Sequence, residues 1–154
     1  MMLFKNILLF VFLLVVASIN VSLSQNNTGK ITIVVNGFKN NTGKARILIF
    51  SDKEKKYYPS EHKKAYGRYI VPIKNKKVTF TFENLPFEDY AISVHHDEDN
   101  NGKINTNWLG IPNEGLGASN DAKGNFGPPT FEQAKISLSK EELKLEINMM
   151  NDLF

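Results

Sequence analysis

The 154-residue chain contains no cysteine. That absence excludes disulfide staples, cysteine-ligated zinc, a cysteine nucleophile and a lipid anchor carried on a thiol. Histidine is scarce, at three residues, and tryptophan occurs once. No sign of charge dominates either, since 19 basic and 16 acidic residues leave a formal net charge of +3. The lysines fall in short clusters within residues 53–56, 63–64 and 74–77. These read as solvated edges and turns, with no nucleic-acid partner expected. Long apolar runs are missing too. The apolar run at residues 7–16 spans ten positions, about half of the ~20 that a membrane-crossing helix needs.

That run has its own meaning. Lys5 precedes it without any acid, and small and polar residues fill positions 17–24. This is the order of a secretory signal peptide. Residues 1–24 are therefore expected to be removed on export, with cleavage after Ser24 or, alternatively, nearer Ala17. Residues 25–154 are expected to form one domain, periplasmic or extracellular, with no transmembrane segment after cleavage. A chain of that size can bury a core without covalent staples.

What is present is alternation with period two. Ile31, Ile33 and Val35 alternate with Thr32, Val34 and Asn36, and Val78, Phe80 and Phe82 alternate with Thr79, Thr81 and Glu83. The same pattern runs through Tyr90, Ile92 and Val94, through Ala134, Ile136 and Leu138, and through Leu143, Leu145, Ile147 and Met149. Alternation places one set of side chains on a core and the other in water. Residues 45–50 are apolar except for Arg46, as in a central strand covered on both faces. Residues 69–73 form a weaker strand whose Pro72 suggests a sheet edge. Turn-forming residues separate these runs, and residues 52–67 suit a helical turn or an irregular excursion. The pattern predicts an all-β protein: a single β-sandwich, Ig-like or transthyretin-like, of about seven antiparallel strands with a long ordered loop.

That loop covers residues 97–130 and holds six of the ten glycines, together with Pro112, Pro128 and Pro129. So long a stretch without strand pattern is usually functional or disordered. Trp108, Leu109, Ile111, Leu116 and Phe126 are expected to anchor it. Its first part reads Asp97-Glu98-Asp99-Asn100-Asn101-Gly102-Lys103-Ile104-Asn105. This follows the first nine positions of a calcium loop, with oxygens at positions 1, 3, 5, 7 and 9 and glycine at 6. The expected metal ligands are Asp97, Asp99, Asn101, the Lys103 carbonyl and Asn105, with Ca2+ as the ion. Position 12 is Trp108, where a helix-flanked loop carries glutamate. A strand precedes the loop, so the site is no EF-hand, and Glu114 is the nearest acid able to close the shell. An Asx-rich turn without metal is the alternative.

Other chemistry is thinner. His95 and His96 are adjacent on a strand and point to opposite faces, so structural roles are expected. No serine stands in a nucleophile-elbow context. Trp108, Tyr57, Tyr58 and Tyr66 could line a sugar or peptide surface, although packing is the commoner fate of such residues.

Four segments together are distinctive: residues 85–92 (LPFEDYAI), 96–105 (HDEDNNGKIN), 110–115 (GIPNEG) and 127–131 (GPPTF). With them the chain resembles the bacterial exported-protein family known as domain of unknown function 2141. The resemblance covers most of residues 25–154. Members share L-P-x-G-x-Y-A, H-D-x-N-x-N-G, G-x-P-x-E-G-x-G and G-P-P-x-F. Here Glu88 replaces the glycine of the first pattern, and Asp99 stands where asparagine is common. Asn105 replaces a common aspartate, which weakens a metal shell slightly, and Ala118 lies near a frequent aromatic. The resemblance implies a compartment and a fold rather than an activity. The expected function is that of an exported, non-catalytic, calcium-stabilised binding or structural module of the cell envelope, facing an envelope protein or glycan. The alternative is a secreted polysaccharide hydrolase with Asp97, Asp99 or Glu114 as acid and base.

Overall fold

A computed structural model describes residues 27–125 and 127–151. The expected signal peptide and its cleavage site, and the expected anchor Phe126, lie outside the described residues.

The chain folds into two facing sheets. Strands β1 (Thr28–Asn36), β4 (Lys77–Pro86) and β8 (Glu142–Asn148) form one, in the order β4-β1-β8. Strands β2 (Lys44–Ser51), β3 (Gly67–Pro72), β5 (Asp89–Asp97) and β6 (Leu116–Ala118) form the other, in the order β3-β2-β5-β6, with the two-residue β7 (Ile136–Ser137) also on β5. The predicted strands are present, although the one expected over residues 134–138 shrinks to Ile136–Ser137, with Ala134 ending a helical turn. Most pairings are antiparallel, but β1 and β8 run parallel from Lys30↔Glu142 to Asn36↔Asn148. Period-two patterning fixes which face a side chain takes and says nothing about strand direction.

The alternation decides the core. Ile31, Ile33 and Val35 of β1 and Ile147 of β8 face Ile47 and Ile49 of β2 and Tyr90, Ile92 and Val94 of β5, all buried. The opposite face of the larger sheet is also covered. Leu48 and Phe50 of β2 and Ala91 of β5 pack there against Ala118, Ala122, Phe131 and Ala134. The strand apolar at nearly every position is thus the one with a layer on each side, and β3 with Pro72 lies at the edge.

The covering layer is made by the two irregular stretches. Residues 52–67 contain 3-10 turns at Asp52–Tyr57 and His62–Lys64, the first opened by a capping box between Ser51 and Glu54. The long insertion adds β6 and one helical turn, α1 (Phe131–Ala134), capped by Thr130 with Gln133. Its anchoring differs from expectation. Trp108 is 90% exposed and Leu109 60%, while Ile111 and Leu116 are half-buried. The insertion is held instead by the small apolar residues around Phe131 and by polar side chains. Ser119 Oγ accepts the Ile92 N–H at 3.0 Å and donates to the Ala134 carbonyl.

Candidate functional site

The strand geometry sets the site. In β5 the even residues face the sandwich core, so His96 packs its ring edge against Phe38 and its Nε2 meets the Thr42 carbonyl at 2.9 Å. The odd residues His95 and Asp97 face the covered outer side. Across from them in β2, Arg46 pairs in register with His95 and turns the same way.

Asp97, at the end of β5, is fully buried. Its Oδ2 accepts from Arg46 Nε in a short contact and from the Gly102 N–H at 3.1 Å. Its Oδ1 is buried with no hydrogen-bond partner among the described residues. A buried carboxylate oxygen without a donor is costly.

The loop that follows curls back to this carboxylate through the Gly102 N–H on Oδ2. Asp99 Oδ1 accepts the Asn101 N–H at 3.1 Å, and Asn101 Oδ1 accepts the Lys103 N–H at 2.7 Å. Asn100 and Gly102 adopt left-handed backbone, at φ 61° and 78°. Such geometry favours asparagine and glycine, and it closes the curl within a few residues. The amides of Asn101 and Asn105 both donate to Asp99 Oδ2, at 2.8 and 2.9 Å. The Asn105 bond, then the Asn101 backbone bond, hold the Asp99 carboxyl below the usual carboxylate range.

Glu114 arrives from further along the insertion and is buried as well. Its Oε1 accepts the Glu98 N–H at 3.0 Å. Its Oε2 accepts the Asn105 N–H at 2.9 Å and meets His95 Nε2 at 2.9 Å. One carboxylate therefore clamps both shoulders of the loop to the sheet.

Of the expected ligands, the structure brings Asp97, Asp99 and Glu114 together, with one oxygen of each within 4.8 Å of the others. Asn101 and Asn105 lie beside Asp99 with their nitrogens turned towards it. A half-turn of each amide would present oxygen instead. Lys103 joins through its N–H on Asn101. The three carboxylates offer hard oxygen, which suits Ca2+ rather than a softer metal.

Two partners were not anticipated as site residues. Arg46 is the lone charge in the otherwise apolar run 45–50, and that irregularity is the signal that could have singled it out. His95 carried no such signal, because its role depends on Glu114, 19 residues away.

No curated protein matches the chain, and no solved structure does. A family model described as uncharacterized protein conserved in bacteria matches residues 33–146. That span runs from within β1 to within β8 and includes the whole loop, and the chain belongs to this bacterial family, domain of unknown function 2141.

Proposed function

We propose that the protein is an exported, non-catalytic module of the bacterial cell envelope whose insertion is organised by one calcium ion. The observation that carries the reading is the convergence of one carboxylate oxygen from each of Asp97, Asp99 and Glu114, in a cluster where the buried Asp97 also keeps an unpartnered Oδ1. A dication there would satisfy the orphan oxygen and offset three neighbouring acids. Export rests on the cation, apolar run and small residues of positions 1–24.

Catalysis by the same carboxylates is disfavoured by their commitments. Asp97 is fully buried against Arg46, and Glu114 holds two backbone N–H groups and His95. Neither is free to reach a glycosidic oxygen. A contact surface is supported at the loop tip. There Asn107 Oδ1 accepts the N–H groups of Leu109 and Ile111, at 2.9 and 3.0 Å. The turn so formed presents Trp108 and Leu109 to solvent, in position for an envelope protein or glycan.

Extracellular calcium modules bind at about 10⁻⁴–10⁻³ M, and Arg46 beside Asp97 argues for that weak end. Calcium at tenfold its dissociation constant stabilises by about 1.4 kcal/mol, roughly 5 °C in melting temperature for a domain of this size. Melting in calcium and in chelator, with metal analysis of the purified protein, tests the reading. Coincident melts and no bound calcium would refute it.

A further inference from the structure

The outer face of the larger sheet carries a second feature that the ion loop does not use. A cavity of about 700 Å³ opens between the sheet and the insertion, within the range of about 300–1,000 Å³ found for small-molecule sites. Leu48 and Ala118 form its floor. Ile111 and Pro128 of the insertion and Tyr58 of the 52–67 excursion form its walls.

Apart from the Tyr58 phenol, the ionisable side chains among the described lining residues are all basic. Arg46, His62 and Lys123 line it, and among the described lining residues there is no aspartate or glutamate. A shallower extension shares Arg46, Leu48 and His62 and runs on to Arg68 and the exposed Ile70 of β3. The acids nearest these cations are otherwise placed. Asp97 meets Arg46 through Nε alone, Glu114 is held by His95 and backbone, and Glu61 adjoins His62 on an exposed turn. Arg46 makes only that one hydrogen bond among the described residues, so the four N–H donors of its Nη atoms are uncommitted. The imidazolium of His62 is disfavoured by burial and then by the charges of His95, Arg46 and Arg68.

We propose that this cavity binds an amphipathic organic anion, its charged end on Arg46 and His62 and its apolar body against Leu48, Ile111 and Pro128. Arginine suits this task because its fork can take a carboxylate in a bidentate manner. Neutral His62 still offers an N–H. Apolar walls exclude water and strengthen the charge contact. The site stands on cavity shape and charge, independently of whether the loop takes an ion.

The test is calorimetric titration of the protein with octanoate, octanol and octyltrimethylammonium, which share a chain and differ in charge. Octanoate is expected to saturate one site and to bind at least about tenfold more tightly than octanol. The ammonium should bind more weakly than either. Arg46 also supports Asp97, so the charge is best probed at His62, on a turn with no buried residues. His62→Asp should weaken octanoate about tenfold and leave octanol unchanged. Absence of saturable octanoate binding, equal affinity for all three ligands, or an unaltered octanoate affinity in His62→Asp would each overturn the proposal.

Discussion

Replacing Arg46 by methionine separates the two things Asp97 does. The apolar stem of the side chain is kept, and the guanidinium is lost. Asp97 is fully buried, and its Oδ2 is left with the Gly102 N–H alone, while Oδ1 has no partner. Breaking a buried charge pair from one side costs about 3–5 kcal/mol, so in chelator the variant should lose about that much. In calcium the loss should be smaller. Removing a positive charge next to a bound dication relieves at least about 1.4 kcal/mol of repulsion, a tenfold gain in affinity. At a calcium concentration tenfold above the dissociation constant of the unmodified protein, the linkage term then rises from about 1.4 to about 2.7 kcal/mol. Urea unfolding of both proteins in calcium and in chelator measures all four quantities. The reasoning fails if the calcium increment is the same in both, or if Arg46→Met costs less than about 1 kcal/mol in chelator.

Three further substitutions test the scaffold of the site. Glu114→Gln keeps the shape but turns an amide nitrogen towards donors from Glu98, Asn105 and His95. It should cost about 3 kcal/mol in chemical unfolding, and a loss under 1 kcal/mol would deny Glu114 its clamping role. Gly43→Ala should cost more than about 2 kcal/mol, because the residue sits at φ 71° and an added Cβ would lie 2.0 Å from the Asp97 carbonyl oxygen. An unchanged melting temperature would mean the turn does not press on the loop as described. Ser119→Ala strands the buried Ile92 N–H that its hydroxyl accepts. The expected cost is about 1–3 kcal/mol, and faster hydrogen exchange at Ile92 would locate it.

The sheets were legible because alternation reports directly on burial, and Ile31, Ile33, Ile92 and Ile147 lie on the core faces their spacing assigns. The three-residue β6 was not legible, since Leu116-Gly117-Ala118 is too short to alternate. It exists because β5 has an open edge beside it, where Val94 pairs with Gly117. Nor was the parallel β1–β8 pairing, which closes only after more than a hundred residues of intervening chain. In the loop, spacing alone brought forward Asp97, Asp99 and Gly102, because Asx and glycine turns are local chemistry. The partners that fix the loop in space, Arg46 and His95, are distant in sequence, and only folding reveals them. Trp108 and Leu109 misled for the opposite reason. Apolar character predicts burial on average, and a tip braced by Asn107 can hold such residues in water.

The placement of the loop follows from the sheet that carries it. A sandwich strand normally gives its outer face to solvent, where a carboxylate such as Asp97 would be hydrated and unremarkable. Here the larger sheet is roofed by residues 52–67 and by the insertion, so outward-facing charges become interior ones. Arg46, His95, Asp97 and Glu114 are the result: two basic and two acidic side chains under a roof, partnered crosswise. The pairing is incomplete on both sides, with one Asp97 oxygen lacking a donor and the Arg46 Nη groups lacking acceptors. The Asp97 oxygen belongs to the proposed cation site and Arg46 to the lining of the proposed anion cavity. Arg46 is common to both, so an ion bound at either site would shift the charge felt at the other. On this geometry the two proposals together predict coupled sites on the roofed face, with the sandwich beneath as their rigid support.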